Sequence, residues 1–470
     1  MVSEAAPLHV KDDKEERMTT SDREPDERRA RVEDLLKTEL KAFENKTPKS
    51  KALYERAVRS MPAGVTSTFQ SGEPYPIYLD RGLGSKVWDV DGGEYIDYHA
   101  GFGTMAVGHA HPKVRAAIEK AAATGTHFAA TTEASVLLAE ELKRRFKVDS
   151  VRFVNSGTEA TMDAIRLGRA ASGRDVLLKI EGSYHGHHDA VMFSVAPGSS
   201  DEKPWDSTHS RGIPSVLADQ TLVVPFNDAD SLERILSEQS HRIGTLIMEP
   251  VMMNIGIAMP QPGYLQRVRE LCDKYGVVLI FDEVKTGATI APGGATEMFG
   301  VQPDLITLAK SIGGGTPIGA FGGRAAIMDE INNGVVAVGT FNGNPLSMGA
   351  GLATLTEVLT DEAYERLAKL GTRLAQGCQK ALEETGVVAT VTDLGCKGGV
   401  IFADRPVERF ADFLDADDSL FDASWYWLIN RGIFQTPGKE EQWTISVQHD
   451  ESDIDRFVEV FGDYCRAVTS

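Results

Sequence analysis

This 470-residue sequence predicts an α/β fold, a mostly parallel sheet covered by helices, accompanied by a small α+β unit. The main observation is an alternation beginning near Pro112. Helical stretches (Pro112–Ala123, Glu133–Phe146, Thr158–Ala171, Pro262–Tyr275) take turns with short apolar strands (Val151–Val154, Val176–Ile180, Ile243–Met248, Val277–Phe281, Leu305–Leu308). Such alternation joins parallel strands through crossover helices. A second observation is the different texture on either side of this stretch. A third is length, which at about 100–200 residues per domain accommodates two domains.

Taken in order, residues 1–26 carry many charges and few large apolar groups, the composition of a disordered tail. Arg29 to Phe43 then shows helical spacing, with Val32, Leu35, Leu36, Leu40 and Phe43 on one side, as expected of an arm that packs on another element. Pro76–Leu79, Lys86–Val90 and Tyr95–Tyr98 lie between Gly-rich turns and read as a small antiparallel meander. After Asn344 a long helical region runs to about Glu384, followed by a mixed tail to Cys465. The expected divisions are a tail (1–26), an arm with part of the small domain (27–100), a large domain (101–360) and a C-terminal small domain (361–470).

Composition excludes several partners. With 49 basic and 69 acidic residues the net charge is −20, which disfavours nucleic acid or an anionic membrane surface as the main ligand. No basic helix-turn-helix candidate is present. No apolar run reaches the roughly 18 residues of a spanning helix. The four cysteines are scattered, without a CxxC pair, which suits free thiols in a reducing compartment and hence a cytoplasmic location. The same spacing disfavours a metal site.

The chemistry centres on Lys310. It follows the apolar stretch Leu305–Leu308 and precedes Gly313-Gly314-Gly315, while the strand ending at Phe281 runs into Asp282-Glu283-Val284. An amine and a carboxylate at adjacent strand ends suit pyridoxal phosphate: the lysine forms a Schiff base with its aldehyde, and the acid keeps the pyridine nitrogen protonated. Asn155-Ser156-Gly157-Thr158 opens a helix whose N–H groups can take the phosphate; an ordinary N-cap at Ser156 is the alternative. Glu181 to His188 holds Tyr184, which can stack on a planar ring or merely pack, and three histidines without a carboxylate-supported ligand set. Thr340, in the loop Gly339–Pro345, can offer a hydroxyl to the phosphate or belong to a plain capping loop.

As a set, Gly108-His109-Ala110-His111-Pro112, Asn155 to Ala160, Tyr184-His185-Gly186, Glu249-Pro250-Val251, Asp282-Glu283-Val284, Lys310 to Gly315 and Gly339-Thr340 with Gly343-Asn344-Pro345 make residues 55–465 resemble the class III, fold type I aminotransferases. Within that group the closest resemblance is to the glutamate-1-semialdehyde 2,1-aminomutases. The resemblance implies a large cofactor domain and a small domain built from both chain ends. It implies Lys310 as Schiff-base lysine and proton carrier, Asp282 at the ring nitrogen, Val284 and Tyr184 on the two ring faces, and Asn254 at the ring hydroxyl. Ser156, Gly157 and Thr158 would hold the phosphate, joined by Thr340 from the other subunit of a homodimer with shared sites.

On the substrate side, the family's aminomutases carry an arginine in the loop Gly64–Gln70. This chain has Gln70 there, with Ser67 and Thr68 nearby and no arginine. Phe102 replaces a tryptophan, and Glu441 matches a glutamate of the aminomutases. Glutamine lacks the charge of a bidentate arginine clamp. The expectation is therefore a transaminase moving an amino group from an amine or amino acid to a keto acid or aldehyde, with the aminomutase reaction as the alternative. Arg405, Arg409 and Arg431 are candidate replacement cations. Lys285 is expected to face outward, or else to raise the positive potential near the ring.

Overall fold

The computed structural model describes residues 20–195, 210–440 and 443–469, with side chains from residue 28 onward. A helix at Thr20–Lys46 begins inside the segment expected to be a disordered tail. Val32 and Phe43 are buried against the body of the protein, and once that packing nucleates the helix, adding charged N-terminal residues costs little. Arg431 pairs with Glu39 at 2.9 Å, and Asn430 donates to Glu39 at 2.8 Å, fastening this arm beside the helix Asp418–Ile429.

The meander forms as β1 (Leu79–Leu83), β2 (Lys86–Asp89) and β3 (Glu94–Asp97). Its first strand lies after the expected Pro76–Leu79. Pro74 and Pro76 have no N–H to give a ladder, so pairing starts at Leu79, bulges at Asp80 and resumes over Arg81 to Leu83, a mostly exposed strand. The Arg81 guanidinium lies 4.2 Å from the Trp88 ring and helps hold this edge.

A seven-stranded sheet follows: β4 (Ser150–Val154), β5 (Val176–Ile180), β6 (Thr221–Val224), β7 (Ile243–Met248), β8 (Val278–Asp282), β9 (Leu305–Ala309) and β10 (Gly319–Gly323). Their spatial order is β4-β10-β9-β8-β7-β5-β6. All neighbours run parallel except β10, which is antiparallel to both β4 and β9. β5, β7, β8 and β9 are buried along their whole length, which is why they read as continuous apolar runs rather than alternating ones.

Two strands escaped the sequence reading. β6 is a four-residue edge. β10 is Gly-Ala-Phe-Gly-Gly, a composition that opposes strand formation. Space explains it: a Cβ on Gly319 would overlap the Ser156 carbonyl oxygen, so only glycine lets β10 pass beneath the loop after β4.

The helical region from Asn344 is interrupted. Pro345–Ala353 continues into a π turn at Thr354–Val358 and stops, and Thr360 caps a new helix at Asp361–Thr385 by accepting from Ala363 N–H at 3.4 Å. Strands β11 (Thr390–Leu394), β12 (Lys397–Ile401), β13 (Ile433–Phe434) and β14 (Trp443–Thr444) complete the structure. β13 pairs in parallel with β3, so both ends of the chain build the small unit. Trp443, Phe457, Tyr464 and Tyr98 share its core. Cys272, Cys378, Cys396 and Cys465 are all buried and free.

Glu283 bolts the end of β8 to the helix Gly294–Phe299. Its buried carboxylate accepts from Thr296 N–H and Oγ1, both at 2.7 Å, from Ala295 N–H at 2.9 Å and from Thr286 Oγ1 at 2.5 Å. Burial pushes its pKa up and these four donors oppose that shift. Glu283→Ala leaves those donors buried without an acceptor and is expected to cost about 2–4 kcal/mol. Urea unfolding of the two proteins measures it, and an unchanged midpoint would contradict this role.

Candidate active site

Six strands, β4, β9, β8, β7, β5 and β6, point their carboxyl ends the same way, because β10 alone reverses direction, between β4 and β9. Ligands of open α/β sheets collect at that edge. Here the residues just beyond the strand ends line a cavity of about 470 Å³. Ser67, Gln70, Phe102, Ser156, Gly157, Thr158, Tyr184, Asn254, Asp282, Val284 and Lys310 all reach it.

Asp282 is the last residue of β8 and is 4% exposed, so its carboxylate depends on neighbours rather than water. His185 Nδ1 lies 2.7 Å from Oδ2, Val284 N–H donates to Oδ1 at 3.0 Å, and Thr307 Oγ1 donates to Oδ1 at 3.2 Å. Lys310 directly follows β9 with φ +52, a left-handed conformation that costs a β-unbranched residue roughly 1–3 kcal/mol. Such strain persists where the surroundings overdetermine it, and here it sets the lysine on the cavity wall, half-buried.

Ser156 is the N-cap of the helix Gly157–Ser172, its Oγ accepting from Glu159 N–H at 3.2 Å. The cap reading holds, and it does not compete with an anion site, since this helix start also opens onto the cavity. Gly186 packs against it with φ +93, and a Cβ there would stand 2.5 Å from Thr158 Oγ1. On another wall, the buried Glu249 accepts from Tyr184 N–H and Met253 N–H, each at 3.1 Å, and from Asn254 Nδ2 at 3.1 and 3.2 Å. Burial raises the Glu249 pKa. At the mouth, the Phe69 ring meets Tyr184 edge-on at 5.5 Å and lies 6.2 Å from Phe102. Ser67 and Gln70 are exposed there, and Gln70 accepts a hydrogen bond from Thr66.

A family described as Aminotransferase class-III matches residues 68–418. The chain belongs to the class III aminotransferases. A glutamate-1-semialdehyde 2,1-aminomutase from Sorangium cellulosum is 41% identical over 88% of this chain and 95% of its own length. One from Desulfatibacillum aliphaticivorans is 40% identical over 87% of this chain and 96% of its own length. Among solved structures, an omega-transaminase from Sphaerobacter thermophilus superposes with TM-score 0.84 at 34% identity, covering 90% of this chain and 98% of that one. A glutamate-1-semialdehyde-aminomutase from Pseudomonas aeruginosa in complex with PMP superposes with TM-score 0.86 at 28% identity, covering 94% of this chain and 99% of that one.

As a class III aminotransferase the chain is a fold type I enzyme whose cofactor is pyridoxal 5′-phosphate. The cavity suits that group: a helix start for its phosphate, an amine for its aldehyde and a buried carboxylate for its ring nitrogen. Among the described residues no cluster of His, Cys, Asp or Glu has the makings of a metal site. No described helix is long and apolar enough to cross a membrane.

Not every expected residue is here. Thr340 is exposed on its loop and does not line this chain's cavity. Glu441 lies outside the described residues. Arg405 pairs with Asp412 and Asp415, Arg431 with Glu39, and Arg409 heads the helix Phe410–Leu414, so none of the three supplies a cation to the cavity. Lys285 is buried and on the cavity wall, which overturns the outward-facing expectation and agrees with the alternative that places it near the ring. His185 was missed as the partner of Asp282, because their 97-residue separation carries no local signal.

His188 lies behind the cavity, its Nε2 3.4 Å from Thr161 Oγ1. Burial, then the charges of His185, Arg169, His187 and Arg166, push its pKa down from 6.5 to about 3. Between those values the unfolded chain binds a proton that the folded chain refuses, so this residue withdraws stability as pH falls through that window. The slope of stability against pH from 6.5 to 4 is expected to flatten in His188→Gln, as measured by urea unfolding across pH. An identical slope would contradict the assignment.

Proposed function

We propose that this enzyme catalyses an aminomutase reaction of the glutamate 1-semialdehyde type, removing an amino group and returning it to the neighbouring carbon of the same skeleton to give 5-aminolevulinate. Relatives bearing that name, about 40% identical along nearly their whole length, support this over the two-substrate transaminase expected from the missing arginine. When bound, the cofactor supplies an electron sink for the carbon bearing nitrogen.

The chain's own residues divide the remaining work. Lys310 would anchor the cofactor covalently and carry a proton to and from the substrate carbon. Asp282 holds the ring nitrogen's proton, and His185 with Thr307 keeps that carboxylate aimed. N–H groups of Gly157 and Thr158 and the hydroxyls of Ser156 and Thr158 grip the phosphate. Val284 and Tyr184 enclose the ring faces.

Thr340, exposed and away from this chain's cavity, would reach the phosphate from a second copy. Val336, Val338, Phe341 and Phe128 are exposed apolar side chains on and near its loop, which supports a homodimer with shared sites. The buried free cysteines fit a reducing cytoplasm.

One observation favours intermolecular transamination as a second reading: among the described residues no arginine lines the cavity, and Ser67 and Gln70 are the neutral polar groups at its mouth. A single assay separates the two. With glutamate 1-semialdehyde alone and no keto acid, the aminomutase reading expects sustained 5-aminolevulinate formation. The transaminase reading expects at most one turnover, with sustained activity only when an amino donor and a keto acid are both present. Under the aminomutase reading, Gln70→Arg restores a charged clamp and is expected to lower KM for the carboxylate substrate about tenfold or more. An unchanged KM would place the carboxylate elsewhere.

A further inference from the structure

Lys285 stands one residue past Val284, 7% exposed, and its ammonium is within 3.3 Å of the Met253 carbonyl oxygen. Apart from Lys310 it is the cavity's lysine, and no arginine accompanies it among the described lining residues.

The strand order says which end of the cofactor it meets. Across the sheet edge the sequence is β4 with the phosphate loop, then β10, β9 with Lys310, β8 with Asp282, then β7 with Glu249 and Asn254. In pyridoxal phosphate the aldehyde carbon and the ring nitrogen sit opposite each other. The phosphate arm leaves on one side of that axis and the ring hydroxyl on the other. With the aldehyde at Lys310, the nitrogen at Asp282 and the phosphate toward β4, the hydroxyl oxygen turns to the wall of Glu249, Asn254 and Lys285.

That wall needs a positive charge. The resemblance assigned the ring oxygen to Asn254, yet the Asn254 amide nitrogen is engaged by both Glu249 oxygens. Glu249 itself carries the wrong sign for an oxygen that ionises. The other charged or titratable groups around the ring are Asp282, His185, Tyr184 and Lys310, each placed at the nitrogen, a ring face or the aldehyde.

We propose that Lys285 is the residue that holds the cofactor's ring oxygen as an anion, a tuning residue beside the catalytic lysine. This rests on the cofactor orientation given under the proposed function. A cation at that oxygen favours the more negative, deprotonated chromophore, so its removal raises the pH at which the visible band titrates.

The test uses wild type, Lys285→Gln, Lys285→Met and Lys285→Arg, each stripped of cofactor and reloaded with pyridoxal 5′-phosphate or its 3-deoxy analogue. Dissociation constants are followed by absorbance and fluorescence. The two neutral variants should bind pyridoxal phosphate about tenfold or more weaker while binding the deoxy analogue as wild type does, because charge-assisted hydrogen bonds are the strong ones. Their visible band should titrate about one pH unit or more higher, and Lys285→Arg should restore most of both effects. Glutamine keeps a donor for Met253 and guards against a fold defect specific to methionine. Equal weakening for both cofactors, no weakening for either, or a rise only in the KM of carboxylate substrates would overturn the proposal. Wild type that takes up no cofactor would overturn the cofactor reading and this proposal with it, an outcome distinct from a defect confined to the Lys285 variants.

Discussion

A buried carboxylate held at the end of a parallel strand organises this protein. Asp282 has almost no water, and its carboxylate is held by His185 Nδ1, Val284 N–H and Thr307 Oγ1. Each partner comes from a different place: a loop after β5, the turn after β8 itself, and the strand β9. The carboxylate can stay in position only if three strands are in register. The surrounding sheet therefore serves the site directly, because β5, β7, β8 and β9 are fully buried and cannot shift without exposing apolar surface.

The same edge explains the backbone irregularities nearby. Lys310 adopts a left-handed φ where a regular strand would continue, which turns its side chain into the cavity instead of along the sheet. β10 passes close beneath the Ser156 carbonyl because it is mostly glycine. Both features weaken local structure, and both are affordable because the large core around them is closely packed.

Much of this could be read from the chain beforehand. Val176–Ile180, Ile243–Met248 and Glu133–Phe146 were bounded correctly, since a continuous apolar run and an amphipathic repeat are strong local signals. The residues proposed for the cofactor sit in short motifs at strand ends, and the cavity gathers all of them on this chain except Thr340. What failed depended on tertiary context. β10 carries no strand signal in the sequence, because glycine content hides a strand whose packing demands glycine. β1 lay past its prolines, on a mostly exposed stretch with no buried apolar face to mark it. Lys285 reads as a surface residue by composition, and only the turn after Val284 puts it inside. The arginines considered as a carboxylate clamp are tied up in exposed pairs with Asp412 and Asp415, in a largely buried pair with Glu39, or at the head of a helix.

The two sides of the cavity therefore differ in character. Its floor is charged, closely bonded and built from strand ends. Its mouth is formed by Phe69, Phe102, Tyr184, Ser67 and Gln70, on shorter and more exposed elements, and leaves substrate choice open to change. The account stands on one covalent bond at the floor, and mass spectrometry reads it directly. Holoenzyme reduced with borohydride, digested and sequenced should carry a single pyridoxyl-phosphate adduct on the peptide containing Lys310. An adduct on Lys285 or another lysine, or no adduct in protein reconstituted with the cofactor, would contradict it.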